Sequence, residues 1–356
     1  MIKLKKNKLL IITLLLFFTL STITITYNLT HEENLFFFLF ASTKDKLKKI
    51  GYNDEEIKYI LNLNDESIYY LKNEYKENIL EYINDENFKE ENLKLYYSDN
   101  NDLKVKDKIK LVNHNDYDIN LTYNKLMVDI LYDKYYISKN KDRYFKIEDT
   151  SSRKVVEKVN TNRDYEYYTN TKKTDTSKGN LMLVNKYYYL DNYNPEVVAL
   201  SSKYGNSNVL VTKETKDAFV KMFEAAKNDG ITLYVTSGYR SYNEQKEVFN
   251  EYVSNIGEKE ALKYAAKPGF SEHQTGMSLD IFTPGSTTKT FKTTKASTWL
   301  YNNAYKYGFI LRYPSGKENI TGYSYEAWHY RYVGKKVAEE IQRLDITFDE
   351  YYEYFY

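Results

Sequence analysis

The chain has 356 residues, 42% of them hydrophobic, with a formal net charge of +1. That length suits two domains of ordinary size, and the near-neutral balance gives no basic field for nucleic acid. The absence of cysteine excludes disulfides, thiol nucleophiles, thiolate metal sites and a lipidated N-terminal cysteine. The 40 tyrosines, with abundant Lys, Asn and Ile, read as compositional drift in an AT-rich genome.

The N-terminus places Lys3, Lys5, Lys6 and Lys8 before the uncharged apolar run of residues 9–26. This pattern predicts a membrane anchor over residues 1–30, with the lysines cytoplasmic and the remainder outside. A cleaved signal peptide is the alternative, although no clear small-residue cleavage site follows. A second apolar run from Leu35 is too short to span a bilayer.

Residues 31–135 read as a helical stalk or spacer. In "GYNDEEIKYIL" and "LNDESIYYLKNEYKENILEYI", an Asn precedes acidic residues and then an apolar stripe, the signature of a helix N-terminus. Ile57, Ile60 and Leu61 share one helical face, as do Ile68, Leu71 and Tyr75. The segment resembles two degenerate copies of one unit. His114 has no companion ligands nearby in sequence.

Residues 136–178 are polar and read as a linker. The texture changes over 179–356. "NLMLVNKYYYL" is strand-like, and "KDAFVKMFEAAKNDG" is an amphipathic helix stopped at Gly230. "ITLYVTSGYRS" alternates with period two and turns at Gly238, while "WLYNNAYKYGFILRY" reads as a helix ending near Gly308 and then a strand. Strands and helices mix without regular βαβ alternation, so this part is expected to be an α+β domain with a mainly antiparallel sheet and flanking helices.

The chemistry concentrates in two stretches of this part. In "SEHQTGMSLDIF", His273 precedes a turn at Gly276, and Asp280 sits on a strand whose residues Met277, Leu279 and Ile281 face the core. In "YEAWHYRYV", His329 lies on an aromatic strand. Two imidazoles and one carboxylate suit Zn²⁺, and three protein ligands leave a fourth position for water. Zinc lowers the pKa of such a water to about 7, and Glu326 is placed to take its proton. Taken alone, the His273–Asp280 spacing is a weak signal, since a partly buried histidine is more often just hydrogen-bonded than a metal ligand. Residues three apart on an ideal strand also face opposite sides, so Glu326 joins His329 only if the chain bends between them.

Three motifs in order carry a resemblance: "SGYRS" at 237–241 with Gln245, "SEHQTGMSLD" at 271–280, and "YEAWHYRYV" at 325–333. Together they resemble the VanY-type D-alanyl-D-alanine carboxypeptidases, in a zinc peptidase superfamily that includes the hedgehog signalling domain. The resemblance covers about residues 180–335. It implies one zinc ion per chain on His273, Asp280 and His329, with Glu326 as general base. It implies that Arg240 steadies substrate and oxyanion, and that Gln245 and Ser271 help hold the substrate's free carboxylate. Met277-Ser278 departs from the family's usual smaller residue and touches only local packing. The implied substrates are peptidoglycan stem peptides, cut by an enzyme anchored at the cell surface. Two rivals remain: an L,D-carboxypeptidase of tetrapeptide stems, and a non-catalytic wall-binding protein of the same fold.

Overall fold

The computed structural model of the chain describes residues 41–99 and 101–356. The expected anchor over 1–30 and the apolar run from Leu35 lie outside the described residues. Among the described residues, no helix is long and apolar enough to cross a membrane. The chain divides into two compact units, the first ending at Leu131 and the second spanning Tyr132–Tyr356.

The first unit is built of short helices, and their starts follow from the sequence. Asn53 caps the helix Asp54–Ile60 in a capping box with Glu56, and Asn64 caps Asp65–Leu71. The stripe they bury includes Ile57, Ile60 and Leu71, packed with Leu47, Ile79 and Leu93. His114 accepts a hydrogen bond at Nδ1 from the Asp116 amide.

A polar lock closes the end of this unit. The Asn113 Oδ1 accepts from the Tyr96 hydroxyl and from Asn92 Nδ2, both at 2.8 Å, while Asn113 Nδ2 donates to the Asn87 carbonyl. The Tyr96 oxygen in turn accepts from the Lys89 amide, and Asp85 caps the turn at Asn87. The same set of contacts recurs in the second unit. There Asn160 accepts from Tyr144 and Asn140 and donates to the Tyr135 carbonyl, Tyr144 accepts from the Ile137 amide, and Asp133 caps Tyr135. Two stretches of little evident similarity thus fold into one repeated unit, because each ties a buried tyrosine to two asparagines, buried in the second copy and half-buried in the first, whose polar atoms satisfy one another.

The segment 136–178, expected as a linker, is therefore folded in its first part. It carries the helices Lys141–Tyr144 and Ser152–Asn160, buries Tyr144, Val155, Val156 and Val159, and joins the C-terminal helix Phe348–Phe355 through Asn162–Glu353 and a Tyr135–Tyr354 ring stack. Its polarity belongs to side chains that bond within the unit or cover its surface. The expected strand over 180–190 is largely irregular. It begins in a 3₁₀ turn and contributes only β2 (Tyr188–Tyr189), which pairs in parallel with β1 (Lys172–Lys173).

β3 (Val198–Ala199) and β4 (Leu210–Val211) form a short hairpin-like pair. The main sheet has β5 (Tyr234–Ser237), β6 (Ser278–Phe282), β7 (Phe309–Leu311) and β8 (His329–Tyr332) in the order β5-β6-β8-β7, with every pair antiparallel. The helix Lys213–Asn228 covers one face, packing Phe219, Met222 and Phe223 against Val235, Leu279, Ile281 and Tyr330. The alternation of β6 and β8 puts Ser278, Asp280, His329 and Arg331 on the opposite face. That face carries the candidate site.

Candidate active site

Register alone brings two of the expected ligands together. Asp280 and His329 are direct cross-strand partners, and Ser237 of β5 pairs with Asp280 across a bulge. His273 arrives from the short 3₁₀ turn Glu272–Thr275 that precedes β6. This turn ends at Gly276, whose φ of 69° lies in the left-handed region and whose added Cβ would crowd Val197 and Thr212.

The three side chains converge. His273 Nε2 lies 3.4 Å from Asp280 Oδ2, and His329 Nδ1 lies 3.2 Å from Asp280 Oδ1. One ligand atom from each residue falls within 4.8 Å of the others. Metal–nitrogen bonds of 2.0–2.1 Å at a tetrahedral angle separate neighbouring ligands by about 3.4 Å, so the spacing suits a zinc-sized ion. Asp280 Oδ1, which faces His329 Nδ1, is also buried with no hydrogen-bond partner. Unpaired polar atoms at such depth are costly unless something else binds there.

The tautomer of His273 is set by the fold. Its Nδ1 donates to the Gly238 carbonyl at 2.6 Å, leaving the Nε2 lone pair toward Asp280. Gly238 admits no side chain, because a Cβ there would sit 2.4 Å from the Leu210 carbonyl oxygen. The glycine of "SGYRS" thus serves the histidine of "SEHQTG".

Glu326 reaches the site because the chain does bend. The His329 amide donates to the Glu326 carbonyl across a turn at Ala327–Trp328, and the Glu326 amide donates to the Tyr313 carbonyl. Glu326 Oε2 then lies 3.7 Å from His329 Nδ1. Burial pushes the Glu326 carboxyl up to about 8, against the opposing charge of His329. Burial also lowers His273, as a neutral ligand requires. For His329 and Asp280, burial is outweighed by their neighbours: the facing Asp280 and Glu272 carboxylates lift His329 to about 9, and the His273 and His329 rings hold Asp280 below the usual carboxylate range.

Arg240 follows the Gly238 turn. Its Nη1 donates to Gln245 Oε1 at 2.7 Å and its Nη2 to Ser237 Oγ at 3.2 Å, both neutral acceptors. Gln245 is buried and anchored through Nε2 to the Ala266 carbonyl, so its first contact is with the arginine. Ser271 lines the cavity, with Oγ accepting from the His273 amide at 3.3 Å. A cavity of about 270 Å³ opens over these groups and is also walled by Tyr252, Tyr264 and Trp328. Tyr330, by contrast, packs in the sheet core, and Trp328 stacks on Phe282.

Three buried charges beneath the site had no signal in the motifs: Glu272, Arg312 and Arg331. Burial alone would raise Glu272, but the two guanidiniums outweigh it and keep the carboxylate ionised. The one available clue was position, since Arg331 lies two residues after His329 on a strand and so shares its face.

Comparison with known proteins identifies the family of the region that carries this site. The family model described as VanY, D-alanyl-D-alanine carboxypeptidase, matches residues 208–335. The chain is 43% identical over 203 residues to the provisionally named carboxypeptidase YodJ of Bacillus subtilis (strain 168), covering 53% of this chain and 74% of YodJ. It is 34% identical over 188 residues to a D-alanyl-D-alanine carboxypeptidase of Enterococcus faecium, covering 50% of this chain and 58% of that one. Among solved structures, a VanY D,D-pentapeptidase variant in complex with Zn(II) aligns at 34% identity and a TM-score of 0.44, over 48% of this chain and 98% of that one.

Proposed function

The chain belongs to the VanY family of D-alanyl-D-alanine carboxypeptidases, and from that premise we propose a zinc-dependent enzyme that removes the terminal D-alanine from peptidoglycan stem peptides at the cell surface. The observation that carries this reading is the meeting of His273, Asp280 and His329 with Glu326 and Arg240 around one cavity. One zinc ion per chain fits the three donors. When bound, it supplies Lewis acidity toward a water and the scissile carbonyl.

The chain's own residues supply the rest. Glu326, beside the donors, would accept the proton of the attacking water and deliver it to the leaving amine, provided that a bound cation's charge offsets the burial that otherwise keeps its carboxyl protonated. Arg240 keeps its charge for an anionic ligand, because both of its side-chain partners are neutral. A planar guanidinium matches a terminal carboxylate, and in this role it selects the end of a chain over its interior. Gln245 holds that guanidinium in place, and Ser271 lies at the same wall.

The basic, apolar N-terminus supports placement outside a membrane through a single anchor, with the substrate on the same side. The test is mass spectrometry of muropeptides incubated with the full chain. Loss of one D-alanine from pentapeptide stems is expected. Cleavage of tetrapeptide stems alone would transfer the reading to L,D specificity, and unchanged stems would overturn the enzymatic reading.

A further inference from the structure

Resting on the zinc reading above, we propose that Glu272 is a positioning residue for the metal site: its carboxylate orients His329 so that Nδ1 faces the ion. Glu272 is fully buried, and its two oxygens have different partners. Oε1 accepts from Arg312 Nε at 2.8 Å and from Arg331 Nη1 at 3.0 Å. Oε2 accepts only a long bond from Ser278 Oγ at 3.3 Å, and it lies 3.5 Å from His329 Nε2. That Nε2 is buried with no other partner.

An imidazole that offers Nδ1 to a cation must carry its proton on Nε2, and that proton needs an acceptor in a dry interior. Glu272 Oε2 is the acceptor at hand. A carboxylate in this place fixes the tautomer, stops the ring from rotating and makes it a stronger donor.

The grip on Glu272 is built from the ligand strands themselves. Arg331 is the next residue on His329's face of β8, and Ser278 is the next on Asp280's face of β6; the two are cross-strand partners. Arg312 is held from behind by Asp349, at 2.6 and 3.2 Å, and Asp349 accepts from Asn185 Nδ2. Oε1 is thus anchored by two guanidiniums, and Oε2 is left for the histidine. A node serving only to neutralise the arginines would need no oxygen turned toward the metal site.

The experiment compares Zn(II) affinity of the full chain by chelator competition in wild type, Glu272→Gln and Asp349→Asn. Glu272→Gln should bind zinc about 10–100-fold more weakly, the usual effect of losing an outer carboxylate. Asp349→Asn, which cuts the same network beyond Arg312, should stay near wild type. Equal losses in both variants would make Glu272 a part of the general scaffold and overturn the proposal. Undiminished affinity in Glu272→Gln would overturn it while leaving the zinc reading intact; a wild type that takes up no zinc would overturn both. If Glu272→Gln does not fold, nitrogen NMR of the zinc-loaded wild type decides. His329 should be metallated at Nδ1 with a proton on Nε2, and His273 the reverse; a proton on His329 Nδ1 would overturn the proposal.

Discussion

The two units draw on the same residue alphabet and use it differently. The helical unit closes its repeat with neutral pairs, as in the Tyr96–Asn113–Asn92 lock, and buries isolated acidic groups such as Glu56 and Asp99 rather than a charge network, while Lys94–Glu66 and Lys48–Asp54 are exposed ion pairs. The second unit contains the same neutral lock around Tyr144 and Asn160, but it also buries Glu272, Arg312, Arg331 and Asp349 completely. Neutral hydrogen-bonded groups are an inexpensive way to close a helical repeat. Buried charge carries a desolvation penalty of several kcal/mol per ion, so its concentration directly beneath the donor cluster points to a role in holding the site.

Five substitutions test that contrast, from the largest expected effect downward. His273→Ala should reduce zinc from one per chain to well below stoichiometric in elemental analysis and abolish D-alanine release; full retention of zinc would remove His273 from the ligand set. Glu326→Gln keeps the size of the side chain but cannot take a proton, so kcat should fall by about 10²–10⁴-fold with zinc still bound. Near-normal turnover would require another base. Arg312→Met should lower the stability of the second unit by about 3–5 kcal/mol in denaturant unfolding, since it takes from buried Asp349 its guanidinium partner and leaves Glu272 with Arg331 alone. A loss below 1 kcal/mol would mean that water reaches the network. Asn113→Ala should cost the helical unit about 1–3 kcal/mol by leaving Tyr96 and Asn92 unpaired, with D-alanine release unchanged. Asn160→Ala should place the same cost on the second unit. If both variants melt the same unit, the repeated lock is not two independent structures.

Much of this was legible beforehand. The Asn-capped helices at Asp54 and Asp65, the helix ending before Gly230 and the strands carrying Asp280 and His329 all follow from patterns a few residues long. So do the ligand types and the order of the three motifs. The misjudged parts share a cause. Residues 136–160 are polar enough for a linker, yet Asn140, Asn160 and Tyr144 are polar toward each other. The turn that carries Glu326 to His329 depends on Glu326's amide finding the Tyr313 carbonyl, a contact that no local pattern announces.

By itself, then, the sequence determined where elements begin and end, which face of each strand is apolar, and which side chains can bind a metal or move a proton. Those properties depend on backbone propensity, side-chain period and donor chemistry, all of which act within a few positions of the chain. Only the tertiary structure decided that Gly238's carbonyl meets His273, that Glu272 stands between His329 and two arginines, and that Gln245 serves Arg240. Whether a buried polar atom is satisfied depends on a partner within about 3 Å, and that partner is supplied by packing of segments far apart in sequence.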